Sequence, residues 1–155
     1  MNVVIQSANL DHLNDIQELN HQLCIKENKE FDASINKDYP IQKVGETYFR
    51  KRIQNDFACV ATLGNKVIGY LVGSIIKPEE YRNVRKLAEA ENMFVLEEYQ
   101  SMGVGKKLLD AFVEWCGSRS VERIRLVASA QNLKAIHLYR REGFLDHHLA
   151  LEKEL

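Results

Sequence analysis

Gln100-Ser-Met-Gly-Val-Gly-Lys-Lys107 (QSMGVGKK) sets two glycines one residue apart, behind an apolar run and ahead of a helical pattern. A strand that feeds a helix through such a turn leaves the first-turn N–H groups unpaired and aimed along the positive end of the helix dipole, where an anion can accept from them. Gly103 and Gly105 remove the Cβ atoms that would obstruct a phosphate. Lys106 and Lys107 add positive charge at the end of the helix that already carries it, a local cost that a bound anion would offset. Two phosphate motifs are excluded by the neighbouring residues. A P-loop needs a glycine where Gln100 stands and a Ser or Thr in place of Lys107. A dinucleotide fingerprint needs its third glycine at Leu108. What remains is Gln-x-x-Gly-x-Gly.

Outward from this turn, the chain reads as one mixed α/β unit. Leu87–Leu96 (LAEAENMFVL) is a strand carrying carboxylates, and Val104, Leu108, Phe112 and Trp115 mark one face of a helix that Gly117 is placed to end. On the N-terminal side, residues 1–6 form a short strand, and Leu13, Ile16, Leu19 and Leu23 predict a helix with Asp11 as its cap. The pattern then fades between Glu27 and Pro40, and a weaker helix spans Val44–Ile53. Ala58–Leu63 and Val67–Ile76 are strands joined by Gly64-Asn65, a tight-hairpin dipeptide. On the C-terminal side follow a strand at Arg123–Ser129, a helix at Leu133–Arg141 closed by Gly143, and a final strand at Phe144–Leu151. The order is β, α, α, β, β, β, α, β, α, β, without repeats or linkers.

Bulk composition narrows the function. With 155 residues, 45% of them hydrophobic, the chain suits a single domain over residues 1–155. Lys plus Arg number 21 against 22 Asp plus Glu, so no global field recruits nucleic acid or an anionic membrane, and an anion site must be local. No stretch reaches the roughly 18–20 apolar residues of a membrane span, and the N-terminus lacks secretory order; a cytoplasmic location is expected. Cys24, Cys59 and Cys116 are widely spaced and read as small apolar residues. His147 and His148 point to opposite sides of the expected last strand and cannot jointly hold a metal, so no metal is expected.

With Gln100, Gly103 and Gly105 in place, the sequence resembles the GCN5-related N-acetyltransferase (GNAT) family, whose acyl-coenzyme A motif is Q/R-x-x-G-x-G/A at a strand-to-helix turn. Asn92-Met-Phe-Val95 sits where family members carry the strand that pairs with the pantetheine arm. VASAQN (residues 127–132) and AIHLYRREGF (residues 135–144) resemble the second cofactor segment and the closing strand-helix-strand. The resemblance spans essentially the whole chain. It implies the acyl-CoA N-acyltransferase fold, an α/β (α+β) architecture with a mixed, mostly antiparallel central sheet flanked by helices. It also implies acetyl-CoA as co-substrate, held by Met93, Phe94, Val95, Gln100, Ser101, Met102, Gly103, Val104, Gly105, Lys106, Asn132 and Tyr139. In this reading Asn132 bonds the pantetheine region, Tyr139 protonates the coenzyme A sulfur, and an N–H near Phe94 or Val95 meets the oxyanion.

An amine that attacks a thioester needs a neutral nitrogen, a stabilised oxyanion and a proton for the leaving thiolate. Seven residues make nearly two helical turns, so Tyr139 and Asn132 are expected to share a face roughly 10 Å apart along the axis. Glu89 and Glu91 lie two apart on a strand and point to the same side of the sheet. Either is a candidate base, and burial of one beside the other would raise a carboxyl pKa. Exposed strand-edge charge is the competing reading, and ordered water can replace a base in this family. The acceptor falls to residues 25–57 and 77–87, where acids and aromatics are nearly cancelled by lysines and arginines. The expected reaction is direct attack by a small primary amine (polyamine, aminoglycoside or amino-acid-like) within a ternary complex. An acyl-CoA-binding regulatory module without catalysis and a protein or peptide N-acetyltransferase are the alternatives. The C-terminal strand edge is compatible with a homodimer.

Overall fold

The computed structural model describes residues 2–155. Strand β1 (Val3–Ser7) leads to α1 (Leu13–Glu30) and α2 (Lys43–Asn55). Then come β2 (Phe57–Leu63), β3 (Lys66–Ile76), β4 (Leu87–Val95), α3 (Val104–Ser118), β5 (Arg123–Leu126) and α4 (Leu133–Arg141). The sheet order is β1-β2-β3-β4-β5, antiparallel throughout except for the parallel pair β4–β5. The hairpin turns at Gly64, φ +59°, with Leu63 opposite Lys66, as its Gly-Asn dipeptide predicts.

Each face of the sheet carries its own core. Val104, Leu108, Leu109, Phe112 and Cys116 on α3 pack on Cys59, Ala61, Leu71, Ala88, Ala90 and Val95. On the other face, Leu13, Ile16 and Leu19 of α1 and Phe49 of α2 cover Ala58, Val60, Tyr70 and Val72. The two faces use alternate residues of the same strands, as the period of 2 requires.

Five expectations are corrected. Asp11 does not cap α1: it lies in a 3-10 turn, Leu10–His12, that Asn9 caps by accepting from the Asp11 N–H at 2.9 Å, and the residue before α1, His12, makes no side-chain capping bond. The same helix continues past Leu23 to Glu30, because Lys26, Glu27, Lys29 and Glu30 are adequate helix formers and nothing between them breaks the chain. α3 runs through Gly117, and the left-handed residue that ends it is Ser120, φ +56°; a helical glycine costs only about 1 kcal/mol, which the packed turn before it outweighs. Finally, Phe144–Leu151 is not a strand: residues 145–155 carry no regular secondary structure and form no backbone hydrogen bond among the described residues. An edge that a strand could have joined is therefore bare, and β5 stops at Leu126 instead of Ser129. No residue after Cys116 is buried.

Candidate functional site

The parallel ladder joins Leu87–Ala90 of β4 to Arg123–Leu126 of β5 and goes no further. β4 stays paired with β3 through Val95, so beyond Ala90 its other edge opens into a wedge. A β-bulge marks the opening. Asn92 faces Val72 and Ala90 faces Gly73, which leaves Glu91 as the additional residue. The ladder also fixes which amides face the wedge. The Leu96 N–H donates to the Ile68 carbonyl at 2.9 Å, so the alternation of an antiparallel pair turns the Met93 and Val95 N–H groups away from β3. Phe94, the other expected oxyanion donor, turns its N–H toward β3 by the same alternation.

At the open end of the wedge lies the glycine turn. Ser101 (φ +61°) and Gly103 (φ +80°) are both left-handed, and among the described residues none of the amides of residues 101–106 donates to a protein acceptor. Successive amides in such a turn form a concave cradle for an anion. Gly105 answers to a second demand: a Cβ there would stand 3.3 Å from Cδ2 of Leu138, so its absence lets α4 close against the start of α3. Gln100 ties the parts together. Its Nε2 donates to the Val95 carbonyl at 2.8 Å, and its Oε1 accepts from Lys134 of α4 at 2.8 Å. Lys106 does not contribute a free charge, because its ammonium is engaged by Asp110 and by Glu142, each at 3.0 Å. The local electrostatic cost read from the sequence is met inside the protein.

The far wall is α4. Asn132 is its N-cap, with Oδ1 accepting from the Ala135 N–H at 3.2 Å, and its own backbone is not helical. The expected shared face with Tyr139 assumed helical geometry at both positions, and the cap removes it. Tyr139 stacks edge-on against Phe144, with ring centroids 6.1 Å apart. Burial pushes its phenol above the usual tyrosine range, and the charge of Glu27 adds to the shift. Its hydroxyl has no hydrogen-bond partner among the described residues.

Glu89 and Glu91 both lie toward the α1 and α2 side, as their spacing predicts, yet each faces an arginine and not the other carboxylate. Glu91 Oε1 accepts from Arg52 Nη2 at 2.8 Å, Arg52 Nε closes the fork on Oε2, and the Tyr48 hydroxyl donates to Oε2 at 2.9 Å. Glu89 accepts from Arg125 at 3.1 Å. Arg125 also reaches Glu79 at 2.6 Å, and Arg82 approaches the same carboxylate at 3.4 Å. The mutual elevation of two adjacent carboxyls is not the arrangement present.

Beside Glu91 runs a buried polar chain. Asn20 of α1 donates to the Tyr70 hydroxyl at 2.6 Å, that hydroxyl donates to Asn92 Oδ1 at 2.7 Å, and Asn92 Nδ2 donates to the Tyr48 hydroxyl at 3.2 Å. Two turns beyond Asn20 on the same stripe of α1 stands Glu27, where the sequence pattern fades and suits either a loop or a short irregular helix. It is partly buried, and burial raises its carboxyl above the usual range. Among the described residues it has no ion-pair or side-chain hydrogen-bond partner, and its charge reaches Tyr70 and Tyr139. The signal that could have found it is the polar continuation Asn20, Cys24, Glu27 of the inward face begun by Leu13 and Ile16.

With this geometry in view, the comparisons are coherent. The acetyltransferase (GNAT) family model matches residues 20–144. A curated relative, the uncharacterized N-acetyltransferase YobR of Bacillus subtilis (strain 168), is 31% identical over 65 residues; the match covers 40% of this chain and 26% of that protein. Among solved structures, a tetramutant of the BH1408 protein from Bacillus halodurans superposes with a TM-score of 0.86 at 18% identity, covering 98% of this chain and 99% of that one. The aminoglycoside N-acetyltransferase AAC(6')-Iy in complex with CoA gives 0.78 at 18% identity, covering 99% and 95%. These likenesses carry the fold. No helix of the described residues is long and apolar enough to cross a membrane.

Proposed function

This chain belongs to the acetyltransferase (GNAT) family, and from that premise we propose that residues 1–155 form one N-acetyltransferase domain that moves an acetyl group from acetyl-CoA to a primary amine of a small molecule. The observation that carries the reading is the run of undonated amides at residues 101–106, set at the mouth of the β4–β5 wedge. The pyrophosphate of coenzyme A lies on those amides, and the pantetheine arm runs along the open edge of β4 past Asn132. The Val95 N–H, whose carbonyl partner is already held by Gln100, faces the thioester oxygen.

The acceptor enters from the α1 and α2 side. Glu27, a carboxylate without a cation of its own, receives the ammonium, and the Asn20–Tyr70–Asn92–Tyr48 chain and the Arg52–Glu91 fork fix the walls around it. The proton leaves the amine to Glu27 or to water ordered by that chain, since Glu89 and Glu91 are both occupied by arginines. The neutral nitrogen attacks the carbonyl carbon, the C–N bond forms, and the tetrahedral oxyanion collapses with cleavage of the C–S bond. Tyr139 donates its proton to the departing thiolate, and the proton that the acylated nitrogen sheds returns the phenolate to phenol through water. Burial keeps the phenol protonated across the neutral range, so the acid is in the right state at every turnover.

A thermal-shift titration with acetyl-CoA, followed by a thiol-release assay over polyamines, aminoglycosides and amino acids, tests this reading. Stabilisation by the cofactor and turnover with at least one amine are expected. A protein indifferent to acetyl-CoA and silent with every amine overturns it.

A further inference from the structure

The bulge in β4 is gripped from outside the wedge, by α2. Phe49 is wholly enclosed in the core shared with α1 and anchors that helix to the sheet. Tyr48 and Arg52 stand one turn apart on α2, and the guanidinium lies over the Tyr48 ring, 4.6 Å from its centroid. Both reach Glu91. Arg52 forks onto the two carboxylate oxygens, Tyr48 donates to one of them at 2.9 Å, and Ser74 Oγ donates to the other at 3.3 Å. The ion pair is largely withdrawn from water, its side chains 14% and 16% exposed, so removing the arginine would strand a carboxylate.

The Tyr48 hydroxyl makes a second bond, and that bond depends on the bulge. It accepts from Asn92 Nδ2 at 3.2 Å while donating to Glu91. Consecutive residues of a regular strand point to opposite faces, so one hydroxyl reaches both side chains only because the bulge sets Glu91 and Asn92 on the same face. An ionised Glu91 accepts only, which makes the phenol a donor to it and Asn92 a donor to the phenol, and fixes the direction of every bond back to Tyr70 and Asn20. The opposite face closes on the same step of the ladder. A Cβ on Gly73, which pairs with Ala90 just before the bulge, would stand 2.5 Å from the Glu89 carbonyl and 2.7 Å from the Phe112 ring.

We propose that Arg52 is a positioning residue for acyl transfer: with Tyr48 it pins Glu91 out of the ladder, and so holds the bulge at the step of β4 that turns the Met93 and Val95 N–H groups into the wedge. It acts through Glu91 and not on the reacting atoms. The register is a property of the folded chain, whereas its consequence for catalysis rests on the acetyl-transfer reading above. Asp56 supplies an internal comparison, since it binds the same guanidinium at 3.0 Å from within α2's own last turn and its loss leaves the fork on Glu91 in place.

Amide hydrogen exchange on the protein without acetyl-CoA tests the grip with no turnover required. In the parent, the Leu96 N–H, bonded to Ile68, is expected to be protected and the Val95 N–H to exchange faster. Arg52→Met is expected to lower the protection of Leu96 about tenfold while the β1–β2 ladder keeps its own. In the thiol-release assay the same variant is expected to lose about 100-fold in kcat, as for a misplaced oxyanion donor, with KM for acetyl-CoA within about twofold of the parent. Glu91→Gln, which keeps the shape and removes the charge, is expected to move both readouts in the same direction by less, and it decides the matter should Arg52→Met fail to fold. Asp56→Asn is expected to leave both at parental values. Unaltered exchange at residues 93–96 in the deciding variant overturns the grip, as does an equal loss in Asp56→Asn, which would assign the effect to α2 alone. Altered exchange with a parental kcat overturns the positioning role. A parent that turns over no amine defeats the acetyl-transfer reading, and the exchange pattern still decides whether Arg52 holds the bulge.

Discussion

From Val3 to Cys116 every helix and strand buries a face or packs against one that does, with Ile16, Phe49, Val60, Tyr70, Leu108 and Phe112 wholly enclosed. From Gly117 to Leu155 the chain still forms β5 and α4, yet nothing in it is more than partly buried. The wedge lies on the seam between these regions. One wall, β4, is stiffened on both faces by a core; the other, α4, is held by Leu138 and Tyr139 at the core margin and by the Gln100–Lys134 bond, while the Arg125 contacts to Glu79 and Glu89 fasten β5, the strand before it. The difference shows how a binding cleft can open within one sheet: pairing stops where side chains cease to be covered, and the freed edge becomes available to a ligand.

The comparison is broken most sharply at its two centres. Phe112→Ala, in the finished region, is expected to cost about 3–5 kcal/mol in urea unfolding. Leu138→Ala, at the margin, should cost under half as much; equal losses would show that the two regions share one core. Tyr139→Phe should then separate chemistry from stability, lowering kcat about 100-fold with little change in the unfolding midpoint. An unaltered kcat across pH would remove the phenol from the acid role. Glu27→Gln, on the opposite wall, is expected to raise KM for the amine about tenfold while KM for acetyl-CoA stays put, because one charge-assisted contact to the ammonium is lost. The smallest effect concerns the Arg125 latch. Its own backbone N–H, followed by Arg125, holds the Glu79 carboxyl at about 2, below its ordinary 4.5. A depressed folded-state pKa stabilises the fold above the ordinary value, so this contribution is complete above about pH 4.5 and fades toward pH 2. Glu79→Gln should flatten the acid limb of the stability profile in that window without altering stability contrasts elsewhere.

Much of this was legible in the sequence, for physical reasons that differ by element. The hairpin followed from the conformational demand of Gly64, the face of α3 from its apolar stripe, and the turn that leads into α3 from two glycines ahead of that stripe; all are local signals. What escaped was decided at long range. The arginine partners of Glu89 and Glu91 sit on β5 and α2, Lys106 finds Glu142 after α4, and the extension of α1 that presents Glu27 is mixed in charge and has no periodic apolar face of its own. The closing strand was read from its alternation, and residues 144–151 form no strand, since alternation shows that a segment could fill an edge and not that it pairs with one.

The bulge at Glu91 acts as a half-step in the parity of β4. Before it the even residues Ala88 and Ala90 sit on the α3 side, and after it the odd residues Met93 and Val95 do. Were Glu91 taken into regular pairing with Val72 instead of standing out of the ladder, everything downstream would shift by half a period: Phe94 would swing into the α3 core and the Val95 amide would swing toward β3. The sheet could still be drawn with full ladders, but the donor facing the wedge would be gone. One supernumerary residue is what allows the same strand to stay continuous with β3 while turning the Val95 amide into the wedge.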